Sequence, residues 1–141
     1  MLHHNQHKFL QLKNLNLPLG QYAITGSGPM GIRNLREIAD IDIIVSDELW
    51  DRLAAQYGIT DTNGVKKIVF PDGLIEAFCE GSFYMVTNDK NAPTIAERIA
   101  KAEIIEGLPF ECLEYVLYYK RKMGRGKDLK DIQAIEAWLR K

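Results

Sequence analysis

The sequence predicts an α/β protein of the α+β type, in which helices flank a β-sheet and two helices end the chain. Residues 22–25 and 40–45 are short runs of β-favouring residues, and residues 65–79 form a pair of such runs around a Pro-Asp-Gly turn. Residues 112–123 and 127–138 instead repeat apolar side chains every three to four positions, as amphipathic helices do.

The composition is that of an ordinary globular protein, and we expect one domain covering residues 1–141. A net charge of −1 does not suit an extended nucleic-acid-binding surface, so any basic site must be local. No segment approaches the ~18 consecutive apolar residues of a membrane span, and no export signal is expected. Cys79 and Cys112 lie in apolar runs and match no zinc pattern, which predicts reduced core thiols in a cytoplasmic protein.

The first predicted elements surround a glycine turn. Residues 8–15 are expected to form a short helix, and the β-type run 22–25 follows it. That run stops at the Gly-Ser-Gly-Pro turn 26–29, where small residues let the backbone approach a ligand closely. Residues 30–35 suit a short helix whose free N–H groups point at whatever the turn holds, which favours an anion such as phosphate.

The next run, Asp-Ile-Asp-Ile-Ile-Val at residues 40–45, predicts a buried strand that begins with two acids. The alternation of side chains along a strand places Asp40 and Asp42 on one face, about 7 Å apart along the backbone. Neighbouring carboxylates repel, so the pair suits a strand end that faces solvent or binds a cation. Otherwise one acid must remain protonated.

Residues 46–58 carry the boundary signals of a helix. Ser46 can cap the first turn, Asp47 and Glu48 complement the positive end of the helix dipole, and Gly58 ends the helix.

Both faces of the second hairpin strand, residues 74–79, are apolar except for Glu76. A carboxylate in that position needs a partner. An arginine or a lysine could supply it, and so could a cation shared with Asp40 and Asp42.

The remaining elements lead to the end of the chain. Pro93 is expected to open a helix over residues 93–100, and residues 103–111 form a small extended turn around Gly107. The apolar positions of the last helix, 127–138, are expected to face inward; they are Leu129, Ile132, Ile135, Trp138 and Leu139.

Lys120 falls on the apolar stripe of the helix 112–123, so we expect it to face the domain. A lysine in that place either extends to the solvent at the edge or reaches a negative group. The seam between the two C-terminal helices carries Lys120, Arg125 and Lys127, which we call the basic seam.

Together these motifs resemble the nucleotidyltransferase superfamily of the DNA polymerase β type, in particular its small bacterial minimal and toxin–antitoxin-related members. The family pattern is a Gly-Ser turn, an acid-x-acid strand about a dozen residues later and a third acid on a following strand. The residues that match it here are Gly26, Ser27, Asp40, Asp42 and Glu76.

The resemblance extends to positions outside that pattern. Arg36, four residues before Asp40, is similar to an arginine often found there, and Lys120, Arg125 and the run 127–132 (Lys-Asp-Leu-Lys-Asp-Ile) are similar to the family's C-terminal motifs. Two departures are the Gly-Pro pair after the Gly-Ser turn and a glutamate where many relatives have a third aspartate.

The resemblance implies a mixed β-sheet with flanking helices and two C-terminal helices. It also implies a two-metal mechanism in which Asp40, Asp42 and Glu76 are the catalytic metal ligands: Asp40 and Asp42 would hold both ions, and Glu76 would bind the ion that activates the acceptor hydroxyl. Oxygen donors without histidine or thiolate suit Mg²⁺, or Mn²⁺ in its place. The nucleotide phosphates would lie on a second group of residues, which comprises Gly26, Ser27, Arg36, Lys120, Arg125 and Lys127.

The expected reaction moves a nucleotide from an NTP such as ATP to a hydroxyl of a small molecule, an RNA end or a protein, releasing pyrophosphate. The alternative is a non-catalytic nucleotide-binding or regulatory protein of the same fold, such as one half of a toxin–antitoxin pair. An unrelated α/β domain is a third interpretation. Because the chain leaves no room for a substrate domain, the acceptor is expected in an open cleft, at a homodimer interface or on a partner protein.

Overall fold

The computed structural model describes residues 3–82 and 90–141. In chain order the elements are α1 His3–Lys13, β1 Tyr22–Thr25, α2 Gly28–Gly31, β2 Ile41–Val45, α3 Asp47–Tyr57, β3 Thr60–Thr62, β4 Val65–Val69, β5 Ile75–Phe78, α4 Ile95–Ala100, β6 Glu103–Ile105, β7 Leu108–Phe110, α5 Leu113–Met123 and α6 Leu129–Leu139, with a 3₁₀ turn Gly126–Asp128 before α6.

The strands of the described residues form one seven-stranded sheet in the order β3-β4-β5-β2-β1-β7-β6. β1 pairs antiparallel with β2 and parallel with β7, while β2 pairs parallel with β5. The hairpin of β4 and β5 is antiparallel, as its Pro-Asp-Gly turn predicts. The sheet is therefore mixed, which confirms the predicted α+β fold class. The strands that carry the predicted acids, β2 and β5, are neighbours near its centre.

Different helices cover the two faces of the central strands. Ile41 and Ile43 of β2 lie in the core that includes residues of α1 and α3. Ile44 points the other way and packs with residues of α4. Because side chains alternate along a strand, Asp42 lies on the same face as Ile44.

The two C-terminal helices close over the glycine turn. Met30 of α2 packs with Leu113, Val116 and Leu117 of α5 and with Ile135 of α6. This contact brings the basic seam to the side of the sheet on which Asp42 lies. None of the helices among the described residues combines the length and the hydropathy that a membrane-spanning helix requires.

Several predicted elements are confirmed closely. Ser46 caps α3 by accepting a hydrogen bond from the Leu49 N–H, and Gly58 ends that helix. The helix 112–123 is α5, with Cys112 as its N-cap residue and Gly124 in the left-handed conformation at its end.

The helix predicted over residues 30–35 was wrong in its position. The observed α2 is a single turn from Gly28 to Gly31, with Pro29 in its first turn. A Cβ on Gly28 would lie 2.3 Å from Ile24 Cγ2, so only glycine lets this turn pack so closely on β1. The Gly-Pro pair therefore lies in the first turn of the helix, which the sequence predicts to begin after it.

Other predicted boundaries also differ from the structure. The first helix begins at His3 rather than residue 8, and Thr94 instead of Pro93 opens α4 by accepting a hydrogen bond from the Glu97 N–H. The extended turn at 103–111 is the hairpin of β6 and β7. Leu129 and Leu139 are 63% and 41% exposed, so they do not face inward.

Candidate functional site

The three acids of the predicted metal site lie together in the structure. β2 and β5 run parallel in a register that places Asp42 opposite Glu76, and Asp40 lies two residues before Asp42. One carboxylate oxygen of each of the three lies within 4.8 Å of the others. The predicted convergence is confirmed, and we call these residues the acidic cluster.

The spacing of the acidic cluster suits one shared cation. Oxygen ligands lie about 2.1 Å from Mg²⁺, so two ligands on opposite sides of the ion are about 4.2 Å apart. A maximum separation of 4.8 Å is close to that span. The donors of the group are carboxylate oxygens, the ligands that hard divalent ions prefer.

Asp42 is the member of the acidic cluster whose ionised form is clearly disfavoured by its surroundings. Its burial, reinforced by the charges of Asp40 and Glu76, raises its pKa to about 7. Lys67 and Lys120 act in the opposite direction without overcoming the burial. A divalent cation at this position would favour the ionised carboxylate.

The partner of Glu76, left open by the sequence, is Lys67 of the adjacent strand β4. The Lys67 ammonium donates hydrogen bonds to both carboxylate oxygens of Glu76, at 2.9 and 3.1 Å. The two side chains are only 26% and 16% exposed. The acidic cluster is therefore already bonded to one cationic side chain of the protein, that of Lys67.

The glycine turn is held against the acidic cluster. Gly26 has a φ of +67°, and a Cβ there would lie 3.2 Å from Asp42 Oδ2, so a larger residue would be strained and would crowd the acid. Ser27 instead uses its carbonyl to accept from the N–H groups of Met30 and Gly31. Its hydroxyl does not cap α2.

Lys120 faces the domain, as its place on the apolar stripe predicts, and is 9% exposed. Its ammonium lies 3.0 Å from Asp131 Oδ2 and 3.7 Å from Asp128 Oδ1. Of the two expected alternatives, the lysine reaches a negative group rather than the solvent. That group belongs to the 3₁₀ turn and α6 of the same chain.

The two predicted arginines join the same acids. Arg36 donates from Nη1 to Asp131 Oδ2 at 2.7 Å, and Arg125 donates from Nε to Asp128 Oδ2 at 2.8 Å. Although burial opposes its ionisation, hydrogen bonds and charge from Arg125, together with Lys120, hold the pKa of Asp128 below its ordinary value. Arg36, Lys120 and Arg125 are thus partly neutralised within the chain.

A cavity of about 860 Å³ lies in front of the acidic cluster. Gly26 and all three residues of the basic seam line it. Of the predicted nucleotide-binding residues, Ser27 and Arg36 are not among the described residues of its wall. The structure therefore brings together most, but not all, of the predicted site.

A second charged group was missed by the sequence analysis, and two of its residues, Thr25 and Arg98, also line the cavity. Arg98 of α4 donates from Nε and Nη2 to the fully buried carboxylate of Glu111, and from Nη2 to Thr25 Oγ1 at 3.2 Å. Thr25 in turn donates to Glu111 Oε1 at 2.6 Å. We call Thr25, Arg98 and Glu111 the buried network. The guanidinium carbon of Arg98 also lies 4.1 Å from the centre of the Tyr119 ring.

A signal for this network was present in the sequence. Arg98 lies between Ile95 and Ile99 on the apolar face of α4, just as Lys120 lies on the stripe of α5. A charged residue at an inward position requires a buried partner. The structure shows that Glu111, directly after the apolar strand β7, is that partner.

No protein-family model matches this chain, and neither curated proteins nor solved structures give a significant match to it.

Proposed function

We propose that this chain is a nucleotidyltransferase that uses a divalent cation, Mg²⁺ or Mn²⁺, to move a nucleotide from an NTP to a hydroxyl acceptor. The observation that carries the proposal is the convergence of Asp40, Asp42 and Glu76 within 4.8 Å beside the Gly26 turn. Carboxylates held close together at a cavity repel one another, and a bound cation would relieve that repulsion.

Asp40, Asp42 and Glu76 would hold the metal. When bound, it would neutralise charge on the phosphates and lower the pKa of an acceptor hydroxyl. Glu76 would accept the proton of that hydroxyl. The backbone at Gly26 would approach the phosphates, because glycine there leaves space next to Asp42.

The lining and the volume of the cavity suit a polyanion together with a small acceptor. Lys120, Arg125 and Lys127 line it and would balance the triphosphate charge. Its volume of about 860 Å³ falls in the range of ligand pockets, so a nucleotide and part of an acceptor could share it. Ser27 and Arg36 would contribute indirectly, through the turn and through Asp131.

A second candidate is a non-catalytic nucleotide-binding or regulatory protein. One observation favours it: cations that would serve the nucleotide are already paired with acids of the chain, Lys120 with Asp131 and Arg125 with Asp128. A protein that binds nucleotide without turnover can keep such pairs intact. Transfer activity distinguishes the two candidates.

We also propose a cytoplasmic location. Cys79 and Cys112 are both free, and burial raises the pKa of each thiol, which keeps them protonated and unreactive.

The test is incubation of the protein with each α-labelled NTP, MgCl₂ or MnCl₂ and a cell lysate, followed by identification of the labelled molecule. We expect label transfer by the native protein and a loss to background in Asp42→Asn, which keeps the shape but removes a metal-binding charge. Asp51→Asn, an exposed acid on α3, is the control and should transfer normally. Equal transfer by Asp42→Asn and the native protein would place the site elsewhere. NTP binding without transfer would favour the second candidate.

A further inference from the structure

Lys67 occupies an unusual place among the cations of this chain. It lies on β4, next to β5 in the sheet, and reaches across to the carboxylate that the proposed metal would use. Its ammonium engages both oxygens of Glu76, at 2.9 and 3.1 Å, and the same side chain lines the cavity.

The position of this ammonium has a consequence for metal binding. A divalent ion held by Asp40, Asp42 and Glu76 needs at least one oxygen of Glu76, and Lys67 bonds to both. An ammonium bonded to both oxygens of Glu76 and a divalent ion bound to one of them would lie within a few ångströms of each other and would repel. This repulsion favours a state in which one of the two cations has moved away when the other is present.

The lysine is the cation able to leave. Its charge is half that of the divalent ion and its nitrogen lies about 3 Å from the oxygens, whereas metal ligands lie about 2.1 Å from Mg²⁺, so the metal has the stronger attraction. The lysine stem has several rotatable bonds and an open cavity beside it.

We propose that Lys67 is the resident counter-ion of the acidic cluster and exchanges with the divalent ion. In the metal-free protein the ammonium limits the repulsion among the three acids. When the metal binds, the Lys67 side chain leaves Glu76 and turns into the cavity. This inference rests on the proposed metal site and goes beyond it, because it predicts that the chain weakens its own affinity for the metal.

The first experiment follows Lys67 itself in the unaltered protein. Lysines are acetylated briefly with and without MnCl₂, no nucleotide being added, and the modification at each site is measured by mass spectrometry. We expect the Lys67 reactivity to rise at least threefold with Mn²⁺, because acetylation requires an amine with a free lone pair, which a side chain turned into the cavity presents more readily than one held by both oxygens of Glu76. Lys66, the exposed neighbour on the opposite face of β4, is the internal control and should not change.

The second experiment measures Mn²⁺ affinity by calorimetry without nucleotide. Lys67→Met keeps a stem of similar length and removes the competing ammonium, so we expect Mn²⁺ to bind roughly three- to tenfold more tightly than in the native protein. Lys66→Met removes the same charge without touching Glu76 and should bind as the native protein does. The acetylation experiment needs no variant, so it tests the exchange even where Lys67→Met folds poorly.

The outcomes separate this inference from the proposed function. If native protein binds no Mn²⁺, or if Asp42→Asn binds it equally well, the metal site is wrong and the exchange falls with it. If native protein binds Mn²⁺ through Asp42 but Lys67 reactivity stays constant and Lys67→Met binds no more tightly than Lys66→Met, the metal site stands and the exchange is overturned.

Discussion

The acidic cluster and the buried network lie at adjacent strands of one sheet and carry their charge in different ways. Glu111 of the buried network is fully buried, yet Arg98 bonds to both its oxygens and Thr25 to one of them. Among the described residues, the cation bonded to the acidic cluster is Lys67, which donates to both oxygens of Glu76 and acts on Asp42 through its charge.

This difference separates a carboxylate whose charge is already paired within the fold from carboxylates that can still bind an added cation. In the buried network a single carboxylate is matched by a single guanidinium, so nothing is gained by adding an ion. In the acidic cluster three carboxylates face a cavity, and burial together with its acidic neighbours raises the pKa of Asp42 to about 7. The burial of a carboxylate alone therefore does not indicate a ligand-binding site. A carboxylate whose charge is not compensated and that lines a cavity does indicate one.

The largest effect is expected from breaking the buried network. Arg98→Met leaves the Glu111 carboxylate buried without its cation, and removing one partner of a buried pair costs about 3–5 kcal/mol of the free energy of unfolding. Urea unfolding followed by circular dichroism measures this loss. Replacing both charges, as in Arg98→Met with Glu111→Leu, should recover much of it, since no charge is then stranded.

Arg121→Met is the matched control for that change. Arg121 pairs with Glu136 at 2.5 Å, but the two side chains are 55% and 36% exposed. Exposed ion pairs contribute at most roughly 1 kcal/mol, so this variant should unfold almost as the native protein does. Equal losses in Arg98→Met and Arg121→Met would show that the buried network is not a structural pair.

Lys120 lies between the two extremes, and its replacement sharpens the comparison. Lys120→Met removes a buried cation from Asp128 and Asp131, but Arg125 and Arg36 still bond to those acids. We expect a loss of roughly 1–3 kcal/mol in the free energy of unfolding, the cost of an unsatisfied buried group. If Lys120 also binds the triphosphate, NTP affinity should fall by roughly 1.5–3 kcal/mol, the contribution of a hydrogen bond to a charged group.

Arg121→Met, on the same helix and also paired with α6, again provides the control. The experiment combines urea unfolding with NTP titration of both variants. A stability loss in Lys120→Met with unchanged NTP affinity would make the lysine purely structural. Unchanged stability would contradict its ion pairs with α6.

The sequence predicted the features that depend on local pattern. Period-two alternation placed Asp40 and Asp42 on one face, and the capping residues set the bounds of α3. The inward position of Lys120 followed from helical spacing. Each of these requires knowledge of only a few neighbouring residues.

Features that depend on distant contacts could not be predicted in the same way. The turn Gly28–Gly31 begins where it does because Gly28 packs on Ile24, and no local propensity reports that contact. The partner of Glu76 is nine residues away on the adjacent strand, and that of Arg98 lies beyond two strands of a hairpin. Sequence spacing shows that such a charge needs a partner without showing which residue supplies it.

The smallest effect concerns the pH dependence of the acidic cluster in metal-free protein. The pKa of Asp42 rises from 3.8 to about 7 on folding, so the folded chain holds this proton more tightly than the unfolded chain does. The stability that this bound proton contributes to the folded state is fully present below pH 3.8 and is lost as the pH rises through about 7. Asp42→Asn has no proton to lose, so its stability relative to the native protein should increase over that range.

With EDTA present, we expect this advantage of Asp42→Asn to reach roughly 1–2 kcal/mol at pH 8, less than the full 1.4 kcal/mol per pKa unit because neighbouring groups relax. Urea unfolding at pH 5, 6, 7 and 8 measures it. Addition of MnCl₂ at pH 8 should reverse the order, since the ion stabilises only a protein whose acids can hold it. In contrast, Glu111→Gln should be less stable than the native protein with or without Mn²⁺, because it leaves Arg98 unmatched. The same order of stability in both variants would remove the distinction between the two groups of carboxylates.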